Sequence, residues 1–413
     1  MTAHDYPLVS IITPSFNQGK YIRETIESVL AQEYPNIEHI IIDGGSSDET
    51  LGILHSYSYL GERFRFVSEP DRGQAHAINK GLAMAKGSII GWLNSDDTYM
   101  PWSVGKAVQA FHDHPEWGMV YGRGNYTDEH DRIIVAHPVE AFSKRRLFEA
   151  CIICQPAAFI RKSTFLDVGG VDESYYFCMD YDLWMRIAKK YTIGDIQECL
   201  AHAKWHSEGK TMTSFGTTGL HEVFRASLKN YSAISNELIH FFVTFHQDKE
   251  PLWILHQMKP YPLFGNAPKI TAMNRYDDLW VSTHFNISIE VARETPLHTL
   301  IVKGRHVIQN DPFPCSIYVN NQFYKNDVIQ PGTFKLNIEI PWGSQNLDVQ
   351  IDCYYHVIPA QIGLSSDPRA LSYIVDEVSP LSAKEYEFYQ VLQNGTAHVQ
   401  EWLSKNRYPT PDL

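Results

Sequence analysis

The sequence predicts an α/β fold, in which a mostly parallel sheet is covered by helices, followed by a helical connector and a small antiparallel β-sandwich. Three observations predict this architecture. Short apolar runs alternate with amphipathic segments over the first hundred residues. Runs that alternate polar and apolar residues, separated by turns, occupy residues 276–375. A length of 413 residues exceeds one ordinary domain, and a hydrophobic content of 44% indicates a substantial core.

Four apolar runs near the start of the chain predict parallel strands. Their near-continuous apolar character is typical of strands that are buried on both faces. The runs span residues 8–13, which Pro14 ends, 37–42, 64–67 and 88–93. Residues 20–32 and 74–85 lie between these runs and have the character of amphipathic helices. Ser46 with Glu49 predicts a capping box that opens another helix.

The rest of the chain divides by its local patterns. Residues 119–125 and 132–136 predict a hairpin, and residues 180–190 predict a helix with one apolar face. Residues 216 to about 265 are mostly helical in character and predict the connector. We therefore expect four segments: residues 1–215, 216–275, 276–375 and 376–413, the last of which is a helix broken at Asn394-Gly395.

The predicted sandwich contains regularly spaced turn residues. Its many aromatic residues leave two alternatives open, a carbohydrate-binding module or a packing and dimerisation module whose aromatic residues form the core. The turn residues are Asn310-Asp311-Pro312, Asn320-Asn321, Pro331-Gly332 and Trp342-Gly343.

Charge and cysteine content exclude several classes of protein. The net charge of −13 argues against a general nucleic-acid binder, because no broad positive field is available for phosphates. Six scattered cysteines do not form a disulfide framework. Cys151 and Cys154 have CxxC spacing, which we interpret as buried reduced thiols, with a zinc or redox site as the alternative. Without a basic leader or a long apolar run, we expect a cytoplasmic protein, and association with the inner face of the membrane stays open.

Polar residues follow the predicted strands at the edge of the sheet where ligands bind. Asn94-Ser95-Asp96-Asp97 follows a buried strand directly, and carboxylate oxygens in this position suit a divalent cation. Either Asp96 or Asp97 could be the ligand, and the alternative is a cap for the next helix. Asp43 also follows a strand. Its carboxylate could bind a uracil imide or a ribose hydroxyl, or it could only hold its own turn.

Two further segments could contact phosphate. Arg72 lies in a loop, and Gln74 begins a helix, where backbone N–H groups favour anions. An ordinary loop-to-helix turn is the alternative. His206 precedes Gly209 and Lys210 in a segment that could close over a diphosphate.

Asp180 and Asp182 open the helix predicted over residues 180–190. Negative charge is favoured there by the helix dipole. Residues two positions apart point in different directions, so one carboxylate can reach a cleft while the other caps the helix. A carboxylate in a cleft beside the apolar Trp184 would have the raised basicity needed to take a proton from a hydroxyl.

Seven segments together resemble the family 2 glycosyltransferases, which have the GT-A fold. They occur in the family's order and spacing and extend over about residues 7 to 211. Two positions depart from the family pattern. Asn94 stands where the Asp-x-Asp signature begins with an acid, and Met179 replaces the glutamate that usually precedes the base. The segments are residues 9–17, 42–48, 68–74, 77–81, 92–97, 169–172 and 179–184.

The resemblance implies roles for residues that bind a nucleotide-sugar donor. Pro14, Phe16 and Asp43 would hold the nucleoside, most commonly uridine in this family, with Asp43 on the base. Gly170 would let the backbone lie near the donor sugar.

The resemblance also implies a metal site and a catalytic base. Asp96, with Asp97 as its rival, would hold Mn²⁺ or Mg²⁺ on the diphosphate, and His206 would complete the metal or phosphate site. Asp180 would be the base of an inverting transfer.

The implied enzyme is a hexosyl- or related transferase that acts on a glycan or a lipid-linked glycan in surface polysaccharide synthesis. Homo-oligomerisation through the sandwich is a further expectation. Two alternatives stay open. Asn94 and Met179 motivate a non-catalytic protein that binds nucleotide or glycan. A sugar nucleotidyltransferase would need a glycine-rich phosphate loop, which residues 13–17 do not supply.

Overall fold

The computed structural model describes residues 7–292, 295–340, 346–406 and 411. The described chain forms two compact units, and the division falls between Phe245 and His246. This point lies inside the predicted connector. The connector's helices up to Phe245 belong to the first unit, and its helix after His246 belongs to the second. The boundaries expected at residues 215, 275 and 375 stay predictions. No helix among the described residues is long and apolar enough to cross a membrane.

The first unit alternates strands and helices, as the apolar runs predict. Its strands are β1 (Val9–Ser15), β2 (Ile37–Asp43), β3 (Phe64–Ser68), β4 (Ile89–Trp92), β5 (Thr98–Tyr99), β6 (Trp117–Thr127), β7 (Ile133–Ala136), β8 (Ala158–Arg161) and β9 (Thr192–Lys204). Its helices are α1 (Ile22–Leu30), α2 (Thr50–Ser56), α3 (Gln74–Met84), α4 (Ser103–Asp113), α5 (Lys144–Glu149), α6 (Lys162–Asp167), α7 (Met179–Lys190), α8 (Lys210–Ser214), α9 (Leu220–Tyr231) and α10 (Asn236–Phe245).

These strands form one mixed sheet in the order β3-β2-β1-β4-β8-β6-β9-β5, with β7 paired to β6. Strands β3, β2, β1 and β4 are mutually parallel, and β6 is parallel to β9. Strand β8 runs antiparallel between β4 and β6. The predicted α/β fold of the GT-A type, with a mostly parallel sheet, is therefore confirmed, as is the hairpin formed by β6 and β7.

The sheet is covered on both faces, and its central strands β1, β2 and β4 are buried throughout. Ile11 and Ile12 are adjacent in β1 and point to opposite faces. Ile12 belongs to a core with Trp184 of α7, whereas Ile11 belongs to a second core with Phe111 of α4. All of these side chains are nearly or fully inaccessible to solvent. This packing leaves the carboxyl edge of the parallel strands as the place where polar side chains collect.

The second unit is an antiparallel sandwich with helices before and after it. Its sheets have the orders β10-β12-β17-β14-β15 and β11-β18-β13-β16. Its elements are α11 (Pro251–Met258), β10 (Lys269–Met273), β11 (Trp280–Val281), β12 (His284–Glu290), β13 (Leu297–His306), β14 (Phe313–Val319), β15 (Gln322–Ile329), β16 (Gly332–Glu339), β17 (Asn346–Cys353), β18 (Tyr373–Ser382), α12 (Ala383–Gln393) and α13 (Ala397–Lys405).

The predicted sandwich and the break in the last helix are confirmed. The turn expected at Trp342-Gly343 lies outside the described residues. Several aromatic residues of the sandwich, among them Phe285, Phe313 and Tyr373, are buried in its core. These rings serve packing, which is the first function of aromatic residues in a small sandwich.

Candidate functional site

Polar side chains meet at the carboxyl edge of the parallel strands. In the register of the sheet, Ser15 of β1 lies beside Asp43 of β2, and Asp43 lies beside Ser68 of β3. The segment Asn94-Ser95-Asp96-Asp97 follows β4, which is the other neighbour of β1. The strand ends that the sequence predicts to share one site therefore lie at one edge.

Asp43 anchors the turn that follows β2. It is inaccessible to solvent, and its Oδ2 accepts hydrogen bonds from Gly45 N (3.2 Å), Ser46 N (2.9 Å) and Ser68 Oγ (2.6 Å). Ser46 also donates its hydroxyl to Asp43, and the predicted capping box with Glu49 is wrong because α2 begins at Thr50 without a side-chain cap. Of the two readings of Asp43, its contacts support the turn anchor.

Phe16 and Pro14 continue this edge at the end of β1. Pro14 is buried within the strand beside Ile42, whereas the side chain of Phe16 is 60% exposed. An exposed aromatic ring at the ligand-binding edge of a parallel sheet is suited to stacking on a planar group such as a nucleobase.

Asp96 and Asp97 have different environments. Asp97 is buried, and it accepts hydrogen bonds from Lys204 N (3.1 Å) and Asn94 Nδ2 (3.1 Å). Burial, together with the negative charge of Asp96, raises the pKa of Asp97 well above its usual value of 3.8. The side chain of Asp96 stays 23% exposed. Of the two acids, Asp96 is therefore the one that a soluble ligand can reach.

His206 lies against Asp96 in the segment that follows β9. Its Nε2 lies 3.0 Å from Asp96 Oδ2, and its ring centroid lies 4.5 Å from that of Tyr21. The imidazole is nearly buried, and its Nδ1 meets no hydrogen-bond partner among the residues that the structure describes. One carboxylate and one imidazole, side by side, are a donor set that suits Mn²⁺ or Mg²⁺ whose other ligands come from substrate and water.

No group of three or more histidine, cysteine or acidic residues in the described ranges is arranged to hold a metal ion. A cation at Asp96 and His206 would thus depend on the ligand for most of its coordination. Cys151 and Cys154 are both free thiols, but only Cys154 is buried, so the expectation of buried thiols is wrong for Cys151, which is exposed. Burial raises the pKa of Cys154.

Asp180 and Asp182, in the first turn of α7, point into different surroundings. Asp182 is inaccessible to solvent, and it pairs with Arg186 (2.8 Å) and Lys229 (3.1 Å). Asp180 is half-buried, and its Oδ1 accepts a hydrogen bond from Tyr181 N (2.8 Å). Burial raises the pKa of Asp180 from 3.8 to about 6. This carboxylate therefore has the basicity that proton abstraction near neutral pH requires.

Glu222 of α9 holds the backbone directly before the N-terminus of α7, and no local sequence signal identifies it. Its carboxylate accepts hydrogen bonds from the backbone N–H groups of Tyr176 (2.9 Å), Phe177 (2.7 Å) and Cys178 (3.1 Å). These groups precede the helix that carries Asp180. Glu222 therefore fixes the start of that helix from 44 residues away.

Lys210 joins the acidic residues to α3. Its Nζ donates to Gln74 Oε1 (2.7 Å) and to the Tyr176 carbonyl (3.1 Å). Burial lowers the pKa of Lys210, and the carboxylates that oppose this change belong to Glu222, Asp180 and Asp96. The positive charge of Lys210 therefore interacts with the carboxylates of both Asp96, the metal candidate, and Asp180, the base candidate. The sequence identifies Lys210 only as part of a closing segment.

Arg72 and Gly170 have other contacts. Arg72 is largely exposed and pairs with Glu173 at 2.7 Å. Gly170 is buried at a φ of +72°, and a Cβ there would lie 2.7 Å from Asn79 Oδ1, so close packing requires glycine. Both residues stay predictions as donor ligands.

Comparison with known proteins gives matches in this same region. The family described as Glycosyl transferase family 2 matches residues 10–169. An uncharacterized glycosyltransferase of Rickettsia prowazekii (strain Madrid E) is 30% identical over 221 residues, which cover 50% of this chain and 67% of that protein. The chondroitin synthase of Escherichia coli is 28% identical over 207 residues, which cover 50% of this chain and 30% of that protein. The solved structure of S. aureus TarS in complex with UDP-GlcNAc is 17% identical, with a TM-score of 0.45 over 62% of this chain and 78% of that chain.

Proposed function

This chain belongs to glycosyl transferase family 2, and we propose that it transfers a sugar from a UDP-linked donor to a hydroxyl group with inversion at the anomeric carbon. The observation that carries the proposal is the grouping of Asp96, Lys210 and Asp180. The positive charge of Lys210 interacts with the carboxylates of Asp96, the metal-binding candidate, and Asp180, whose pKa is raised. Inverting transfer from a nucleotide sugar uses a base for the acceptor hydroxyl and positive charge on the leaving diphosphate.

The donor would lie along the carboxyl edge of the sheet. The exposed ring of Phe16 can stack on the base, and the turn held by Asp43 lies next to it. Asp96 and His206 would hold Mn²⁺ or Mg²⁺, which when bound carries part of the negative charge of the diphosphate. Lys210 supplies a fixed positive charge on the same side. Pro14, Arg72, Gln74 and Gly170 complete the proposed donor site, and Asp97 supports Asp96 from the interior.

Asp180 is the proposed base. It takes the proton from the acceptor hydroxyl as the oxygen attacks the anomeric carbon, and the bond from that carbon to the diphosphate breaks. A single displacement of this kind inverts the anomeric configuration. Met179 does not impair this role, because it is buried in the core and takes no part in the cleft.

The acceptor is proposed to be a growing glycan or a lipid-linked glycan in surface polysaccharide synthesis, on the cytoplasmic side of the membrane. The E. coli relative that is named a chondroitin synthase supports a polysaccharide acceptor. Association with the membrane surface and oligomerisation through the sandwich belong to the same proposal.

A thermal-shift screen of nucleotide sugars with and without Mn²⁺ tests the donor assignment, because a ligand raises the melting temperature of the protein that it binds. We expect stabilisation by UDP sugars that increases with Mn²⁺, followed by release of UDP when an acceptor is added. Binding without release of sugar to any acceptor or to water would favour the non-catalytic alternative. Formation of nucleotide sugar from a sugar phosphate would favour the nucleotidyltransferase.

A further inference from the structure

We propose that Asn94 is a positioning residue of the donor site, whose amide orients Gln74 and thereby Lys210, and that an acid at this position would disrupt the site. The inference rests on the proposed function for the identity of the site. It concerns the position at which the family signature begins with an acid and this chain has an amide.

Every hydrogen-bonding position of the Asn94 side-chain amide has a partner. An asparagine side chain offers two donor hydrogens and two acceptor lone pairs. Its Oδ1 accepts from Trp92 Nε1 (2.9 Å) and Gln74 Nε2 (2.8 Å). Its Nδ2 donates to Gln155 Oε1 (2.7 Å) and Asp97 Oδ2 (3.1 Å). All four sites therefore have partners, and all of these partners are at least half-buried.

The direction of each hydrogen bond is fixed by neighbouring groups that can only donate or can only accept. The indole N–H of Trp92 can only donate, so it faces the oxygen of Asn94. The ammonium of Lys210 can only donate, so it takes Gln74 Oε1 and leaves Gln74 Nε2 for Asn94. The carbonyl of Trp92 can only accept, so it takes Gln155 Nε2 (2.8 Å) and turns Gln155 Oε1 toward Asn94. Only an amide at position 94 satisfies these constraints.

A carboxylate at position 94 could still accept from Trp92 and Gln74 but would have no donor for Asp97 and Gln155, so the repulsion between these oxygens would push it out of its present position. Its second oxygen would face the carboxylate of Asp97 and the carbonyl oxygen of Gln155, which both need a donor. Gln155 cannot turn its amide without losing the Trp92 carbonyl. Oxygen atoms that face one another without a hydrogen between them repel, and an unpaired buried acceptor destabilises the fold.

The network reaches the cleft through Gln74. Lys210 has two oxygen partners, Gln74 Oε1 and the Tyr176 carbonyl. A carboxylate that is displaced by the oxygens of Asp97 and Gln155 would move away from Gln74, whose amide would then be free to turn and present its NH₂ group to the ammonium. Lys210 would then lose an acceptor and its position toward Asp96. In this proposal Asp96 and His206 are the metal ligands, and Asn94 is not. Asn94 instead affects binding of the diphosphate indirectly, because it helps to hold Lys210 in position.

Three variants test this role in the full chain. Asn94→Asp is the perturbation, and Asn94→Asp combined with Asp97→Asn is the rescue. In the rescue, the new amide at position 97 can donate to the new carboxylate while its oxygen still accepts from Lys204 N. Asn337→Asp makes the same charge change at an exposed position of β16 in the second unit and is the control.

Melting temperature, Mn²⁺ affinity and UDP affinity at saturating Mn²⁺ are measured for each variant. We expect Asn94→Asp to lower the melting temperature, to weaken UDP binding about tenfold or more, and not to tighten Mn²⁺ binding. The rescue variant should recover most of the melting temperature, and Asn337→Asp should match the wild type. In a Lys210→Met background, Asn94→Asp should cause no further loss of UDP affinity although it still lowers the melting temperature.

Tighter Mn²⁺ binding by Asn94→Asp at an unchanged melting temperature would overturn the proposal, since position 94 would then be a metal-ligand position. A rescue variant as unstable as the single variant would overturn the proposed contact with Asp97. Additive losses of UDP affinity with Lys210→Met would overturn the route through Lys210. If the wild type does not bind UDP, the proposed function fails, and the melting temperatures still decide whether the amide is required.

Discussion

Replacement of Asp180 by asparagine should make the protein more stable near neutral pH while it abolishes transfer. Burial raises the pKa of this carboxyl group from 3.8 to about 6. The folded protein therefore ionises Asp180 at a free-energy cost that the unfolded chain does not have. Asparagine has almost the same shape and still accepts the hydrogen bond from Tyr181 N, but it does not carry the charge.

The magnitude follows from linkage between protonation and folding. Below pH 3.8 the carboxyl group is protonated in both states, so it has no effect on the free energy of unfolding. Between pH 3.8 and about 6 only the unfolded chain ionises, and the cost to the folded state grows with pH. Above that range it is constant at about 3 kcal/mol, an upper value because the side chain is only half-buried. Between about pH 5 and about pH 7 the advantage of Asp180→Asn should grow by about 1.3 kcal/mol.

Urea unfolding of both proteins at these two pH values measures the difference. Asp182→Asn is the matched control, because it makes the same substitution two residues later in α7. That change removes the buried partner of Arg186 and Lys229, and it should destabilise the protein by about 3 kcal/mol. Equal stability of Asp180→Asn and the wild type at both pH values would refute the argument from burial. Full turnover by Asp180→Asn would refute its assignment as the base, and wild-type transfer should decline below about pH 6.

Three other substitutions give separate tests. His206→Ala should reduce the Mn²⁺-dependent part of UDP affinity about tenfold or more; an unchanged response to Mn²⁺ would remove His206 from the metal site. Phe16→Ala should weaken UDP about tenfold through lost stacking and leave the melting temperature unchanged, because the ring is exposed; equal UDP affinity would exclude stacking. Glu222→Gln should cost about 1–3 kcal/mol of stability and lower transfer, because three N–H groups before α7 lose their charged acceptor; wild-type values in urea unfolding and transfer assays would contradict this role.

Local sequence patterns were sufficient for the sheet and for the edge at which the strands end in polar residues. Strands β1, β2 and β4 are buried throughout, and a polar residue stands at or shortly after the end of each, so the pattern along the chain already identifies the carboxyl edge. The spacing of Asp180 and Asp182 was also sufficient to predict that the two side chains separate. What these features share is that the relevant contacts lie within one or two turns of the chain.

Contacts between distant residues were not predictable from the sequence. The burial of Asp97 depends on Lys204, which is 107 residues away, so the choice between Asp96 and Asp97 required the structure. The capping box failed for the same reason, because Ser46 turns to Asp43 and accepts from Asn17 N at 2.7 Å (a residue on another strand end). The role of Asn94 likewise depends on Gln155, from a segment that the strand-end pattern does not include.

The hydrogen bonds from the backbone before α7 to Glu222 decide how far this chain can be shortened. The family match ends at residue 169, and the resemblance in sequence ends near residue 211. A fragment cut at either point would lack α9 and would leave the N–H groups of Tyr176, Phe177 and Cys178, where the fragment includes them, without their acceptor. The portion that the family model matches is thus smaller than the portion that must fold together. Expression of the first unit alone should extend through Phe245.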